Sequence, residues 1–162
     1  MTSFASWLAK GPWPIDGGLS GELEKRGHNL ADKLWSARLL RDAPEAIAEV
    51  HQDYVDAGGR VIITASYQAS RTGFVATGMT EDQADDLMRL SITLAKEVAA
   101  KAPEKIWVAA SVGPYGAVLG GGQEYVGNYG VAHEELVKFH RERIEVLASA
   151  NPDVFACETI PD

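Results

Sequence analysis

Short β-rich apolar runs alternate along this chain with longer stretches of helical period. "PWPIDGG" (Pro12–Gly18) is apolar and closed by two glycines, and it predicts a weak first strand and a turn. Ser20 is placed to cap a short helix through Arg26, ended by Gly27. A helix follows over Asp42–Ala57, with Asp42 at the cap and Pro44 in its first turn. Ile47, Val50, Tyr54 and Val55 share its apolar face. "RVIITASYQAS" (Arg60–Ser70) is β-branched and almost continuously apolar, the mark of a strand buried on both faces.

Thr80 and Gln83 form a capping-box pattern, opening a helix to about Lys101 with Leu87, Leu90, Leu94 and Val98 on one stripe. Lys105–Gly116 is a third strand and a glycine-rich loop runs on to Gly130. His133–Ala150 is a helix with Leu136, Phe139, Ile144 and Leu147 inside, and the final "PDVFACETIPD" is a fourth strand. Apolar strands each followed by a helix imply a parallel sheet with right-handed crossovers. Two architectures satisfy that order, an open doubly wound sheet and part of a (β/α)8 barrel. Both place function at the C-terminal strand ends, here "DGG", "ITASYQAS", "SVGPYGA" and "ACETIPD".

The 162 residues suit one domain, and the net charge of −8 narrows the partners. A nucleic-acid surface needs a basic face to displace phosphate counterions, and a polybasic membrane anchor needs the same sign. No apolar run approaches the roughly 18 residues that span a bilayer. The start "MTSFASWLAKG" lacks a basic n-region before an apolar core. One cysteine makes no internal disulfide. These features predict a cytoplasmic protein that binds neither nucleic acid nor membrane.

Several motifs fail on inspection. "GGG" (Gly120–Gly122) lacks the lysine-serine or lysine-threonine ending of a phosphate loop, and no G-x-G-x-x-G is present. "HEELV" has Val137 where a zinc-protease helix needs a second histidine. His28, His51 and His140 have no partners at ligand spacing and read as surface or packing residues. Cys157 reads as a small hydrophobe in a buried strand, since zinc needs three or four ligands. Glu158 ends an apolar strand, where a carboxylate is costly to bury without a cation. It is a stronger candidate for a binding group than Cys157, while "DGG" reads equally as a tight turn or as Asp16 presenting a carboxylate at a strand end beside bare backbone N–H groups.

"IDGGLSGELEKRGHNL…LWSARLL", "ITASYQAS…GF", "SVGPYGAVLGGGQEYVGNY" and "ACETIPD", in this order and each at a strand end, resemble the amino-terminal half of the homocysteine S-methyltransferase family. The branch resembled uses S-methylmethionine or S-adenosylmethionine as donor. The resemblance implies about four βα units of a (β/α)8 TIM-type barrel, with residues 1–162 forming one incomplete homocysteine-binding domain. It implies methyl transfer from a sulfonium donor to the zinc-bound thiol of homocysteine, giving methionine. Asp16 and Glu158 match the carboxylates that hold the substrate's ammonium group. Gly17 and Thr64 match positions receiving its carboxylate through backbone N–H groups. Tyr67, Gln68, Tyr115 and Tyr125, with Tyr129, fall where donor contacts are expected, since aromatic faces attract a sulfonium.

The family's three zinc cysteines lie on later strands and have no match here, so no residue of this chain is assigned as a metal ligand or catalytic group. A full barrel takes about 250 residues. The resemblance therefore implies a fragment or one part of a split protein, inactive alone, whose open edges favour a dimer or a second chain completing the barrel; the alternative is a non-catalytic or degenerate half-barrel that binds an amino acid weakly or not at all.

Overall fold

A computed structural model describes residues 3–30 and 34–161; Asp162, in the last motif, lies outside them. It is a mixed α/β structure around a three-stranded parallel sheet. The helices are α1 (Phe4–Leu8), α2 (Leu19–Lys25), α3 (Leu39–Asp42), α4 (Pro44–Asp56), α5 (Arg71–Val75), α6 (Glu81–Lys101), α7 (Tyr115–Leu119) and α8 (His133–Ser149). The strands are β1 (Val61–Ile63), β2 (Trp107–Val112) and β3 (Val154–Cys157), in the order β1-β2-β3.

The longest helix forms as its sequence dictates. The Thr80 side chain accepts from the Gln83 N–H at 3.2 Å, and the Gln83 side chain accepts from the Thr80 N–H at 2.9 Å. This reciprocal box satisfies donors that a helix start otherwise leaves open. The buried stripe of α6 runs through Ala84, Met88, Ile92 and Ala95, while the expected Leu87 and Leu90 are only partly buried at its side. Small residues let α6 approach the sheet and α4 and α8 closely, and the leucines fill the flanks.

Pro12–Gly18 is not a strand. Ile15 makes one isolated parallel bridge to Val61, with Asp16 N–H donating to Val61 O at 3.0 Å. Pro12 and Pro14 lack the N–H groups a longer ladder requires. The backbone of Gly18 precedes α2, so Ser20 lies inside that helix and caps nothing. Asp42 ends α3, and Pro44 is the first residue of α4. The second predicted strand is also shorter: after Ile63 the chain turns, and Ser70 caps α5, its hydroxyl oxygen accepting from Gly73 N–H at 3.0 Å. The glycine-rich loop contains α7 and a 3-10 turn at Gln123–Tyr125.

Register fixes what each sheet face carries. Ile62 pairs with Val108, and Ala110 with Phe155. Ile62, Val108, Ala110 and Val112 enter the main core with α4, α6 and α8. On the opposite face Val61, Trp107 and Ala109 meet Phe4 and Trp7 of α1, beside Ile63, Val154 and Ala156. Trp7 stacks on Trp13 at 4.7 Å between centroids, and Phe4 meets Trp107 edge-on at 5.2 Å. This aromatic cluster sits where β2 begins, so the C-terminal strand ends remain open.

Candidate functional site

At those ends lies a cavity of about 320 Å3. Gly17, Thr64, Tyr67, Gln68, Tyr125 and Glu158 all line it, so six of the eight sequence-predicted site residues converge. No Lys, Arg or His is among its lining residues.

Asp16 stands behind this wall. Its Oδ2 accepts the Ile63 N–H at 2.7 Å, while Oδ1 is buried with no partner among the described residues. Burial pushes its pKa up to about 7, the Ile63 hydrogen bond opposes the rise, and the charge of Glu158 adds to it. Glu158 is half-buried and accepts from Ser111 Oγ at 2.5 Å, its backbone N–H donating to Val112 O at 3.2 Å. The site thus holds two mutually repelling carboxyl groups, one with an unused oxygen. That arrangement favours a cation.

Thr64 is committed elsewhere. Its N–H donates to Ala109 O at 3.0 Å. Its hydroxyl oxygen accepts from Ser111 N–H at 3.1 Å and lies 2.7 Å from Ser66 Oγ, which donates to Ser111 O at 2.7 Å. Since the Ser66 proton goes to that carbonyl, the Thr64 proton goes to Ser66. The ring clamps β1 to β2 and leaves Thr64 no N–H for a ligand carboxylate. Among the described residues nothing accepts from the N–H groups of Gly17, Gly18 or Ala65, and these three line the cavity. Gly17 also admits the ring of Tyr54, since a Cβ there would lie 2.9 Å from the Tyr54 hydroxyl oxygen.

A sequence profile described as homocysteine S-methyltransferase matches residues 15–162. The chain belongs to the homocysteine S-methyltransferase family. It is 46% identical over 160 residues to homocysteine S-methyltransferase YbgG of Bacillus subtilis, covering 91% of this chain and 50% of the relative. It is 48% identical over 154 residues to the Escherichia coli homocysteine S-methyltransferase, with the same two coverages. The crystal structure of the E. coli homocysteine methyltransferase MmuM in its metallated form superposes with a TM-score of 0.89 at 46% identity. That match covers 97% of this chain and 57% of the other. The chain thus spans about half the length of the curated homocysteine S-methyltransferases it matches.

Within this family member Tyr115 does not line the cavity. It packs edge-on against Phe139 at 5.0 Å and beside Tyr129 at 5.6 Å, an aromatic cluster under α8. The zinc that the family implies finds no fitting donor set: among the described residues no three His, Cys, Asp or Glu side chains converge. Cys157 is exposed, contrary to the buried position expected for it. It pairs with Val112 on the helix-bearing face, and alternation along β3 turns it away from Glu158. The thiol is open because β3 is an edge of the sheet.

Three residues in and around the cavity escaped the sequence reading. Ser111 is a lone hydroxyl in an otherwise apolar strand, which was its signal. Glu124 gave none. Arg143 lies on the buried stripe of α8 between Phe139 and Leu147, and that interruption was legible. It is 1% exposed; Nη1 donates to Gly113 O, and Nη2 to Ser66 O and Tyr67 O, each at 2.9 Å. Burial lowers its pKa to about 10, so it stays charged at neutral pH. It pins together the turns following β1 and β2. Gly113 completes the joint, since a Cβ there would lie 2.6 Å from Tyr67 O.

Proposed function

We propose that the cavity binds homocysteine, with its ammonium group at Asp16 and Glu158 and its carboxylate on the N–H groups of Gly17, Gly18 and Ala65. The observation that carries this reading is the unpartnered, buried Asp16 Oδ1 beside Glu158, in a wall without a basic side chain. An α-amino acid head carries both complementary charges on one carbon. On this reading the chain is the amino-terminal half of a (β/α)8 barrel that transfers a methyl group from S-methylmethionine or S-adenosylmethionine to homocysteine. The parallel order β1-β2-β3, the Ile15 bridge that stands for a further strand, and the likeness to MmuM support the half-barrel.

Thiol activation is not supplied by the described residues, so the isolated chain binds without transferring. A second copy or a second chain completing the barrel is the partner this geometry invites: Ile15 and Phe155 at the two flanks are exposed. Calorimetric titration with homocysteine and with 4-mercaptobutanoate, which lacks the amino group, tests the reading. Saturable binding of the first and at least tenfold weaker binding of the second are expected. Equal affinities, or no binding of homocysteine, would remove the cavity from amino-acid recognition.

A further inference from the structure

Three non-glycine residues among those described have a left-handed backbone: Asn128 (φ 52°), Asn151 (φ 54°) and Thr159 (φ 55°). Asparagine tolerates that region, because its short amide can hydrogen-bond locally. A β-branched side chain does not, so Thr159 is the outlier. It directly follows Glu158 and lines the cavity. Conformations of this kind persist only where the surroundings dictate them, and they gather at functional sites.

The neighbours of Thr159 explain why the strain falls there. Glu158 is held to β2 twice, its N–H donating to Val112 O at 3.2 Å and its Oε1 accepting from Ser111 Oγ at 2.5 Å. On the far side Pro161 biases Ile160 toward extended backbone. The change of direction therefore lands on Thr159. It brings the Thr159 side chain within hydrogen-bonding reach of the Tyr67 phenol. Tyr67 is itself fixed from behind. Arg143 Nη2 donates to its carbonyl at 2.9 Å, and a Cβ on Gly113 would lie 2.7 Å from two carbons of its ring. The phenol is a firm post, and Thr159 ties the end of β3 to it past the end of β2.

We propose that Thr159 is a positioning residue: its left-handed turn, anchored through its hydroxyl on Tyr67, holds the Glu158 carboxylate where the ammonium group of an amino acid docks. This rests on the amino-acid reading of the cavity. Ser111 fixes one oxygen of Glu158, and Thr159 fixes the backbone from which that side chain springs. Without the hydroxyl anchor the turn relaxes toward an ordinary conformation and the carboxylate moves with it. The strain at Thr159 is thus the counterpart of a preorganised ammonium site.

The test pairs urea unfolding with calorimetric titration of homocysteine into the 162-residue chain. Thr159→Gly removes the anchor, and glycine adopts the same backbone angle without strain. Its urea midpoint should match or exceed that of the unmodified chain, while its homocysteine affinity falls about fivefold or more. Thr159→Ser keeps the hydroxyl and should bind homocysteine within about twofold of the unmodified chain. A residue that merely packs would move midpoint and affinity down together. A smaller loss of affinity in Thr159→Gly, a loss beyond twofold in Thr159→Ser, or a midpoint that falls with the affinity overturns the proposal. Any of these, with homocysteine still bound by the unmodified chain, sinks this inference alone. No homocysteine binding by the unmodified chain sinks the amino-acid reading and this inference with it.

Discussion

Ser111 Oγ donates to Glu158 Oε1 at 2.5 Å across the β2–β3 pair, so the first residue beyond β3 is aimed by a hydroxyl from the neighbouring strand. One carboxylate oxygen is thereby fixed, and the other is left for a ligand. Removing either charge should weaken homocysteine. Asp16→Asn and Glu158→Gln are each expected to cost about 1.5–3 kcal/mol, roughly ten- to a hundredfold in affinity. Ser111→Ala, which only frees the aim, should cost about 1 kcal/mol. Titration calorimetry reads all three, and unchanged affinity in both charge variants would exclude Asp16 and Glu158 from the site.

The raised pKa of Asp16, about 7, gives this binding a pH signature. An ammonium group is attracted only to the ionised carboxyl. Affinity should therefore climb as pH rises toward about 7, by up to one log unit per pH unit, and level off above it. Stability runs the other way. Between about 4 and 7 the folded chain holds a proton at Asp16 that the unfolded chain has lost, so stability falls as pH rises through that window. Asp16→Asn should flatten both profiles, and urea titrations at pH 5 and pH 8 measure the second.

His51 produces the opposite slope. It is 1% exposed on α4, and neither ring nitrogen has a partner among the described residues. Burial lowers its pKa to about 4 from 6.5. The unfolded chain then takes up the proton first, so stability is lost as pH falls from about 6.5 to 4, on the order of 3 kcal/mol in all. His51→Leu fills similar space without orphaned polar atoms and should remove this acid sensitivity. Persistence of the same acid slope in that variant would place its origin elsewhere.

The helices Glu81–Lys101 and His133–Ser149 were legible because their signals are local: a capping box at Thr80, a 3.6-residue period, a proline beyond the end. Asp16 and Glu158 stand out locally as carboxylates ending apolar runs, but that the two interact needed the fold. The faces of the strands were not legible. Val108 and Phe155 point to the helices, although an apolar strand reads alike on both sides, and only the register with Ile62 and Ala110 decides it. Tyr115 and Tyr125 look equivalent in one glycine-rich loop, and α7 separates them into an aromatic cluster and a cavity rim. Arg143 needed the most distant information, since its acceptors lie 30, 76 and 77 residues away.

That residue makes a further prediction. Arg143→Met keeps the aliphatic stem but strands two buried carbonyl groups and one part-buried one, and should cost about 3 kcal/mol or more. Arg143→Lys retains the charge without the planar fork and should recover only part of the loss. Under conditions where both variants remain folded, S-methylmethionine and homocysteine should bind more weakly, because Tyr67 and the turn after β1 lose their tether. Urea midpoints and calorimetry together check this, and an unaltered midpoint in Arg143→Met would show the tether to be dispensable.

The Arg143 tether also sets an order of events in time. The turn after β1 is synthesised some 76 residues before the guanidinium that holds it, so a growing chain displays Tyr67 long before the cavity wall can close. Joining such distant segments carries a loop-closure cost that local helices do not. The binding site is therefore a late product of folding, assembled when α8 docks. Slow steps in refolding should be felt at the turns carrying Tyr67 and Gly113 while α6 is already formed.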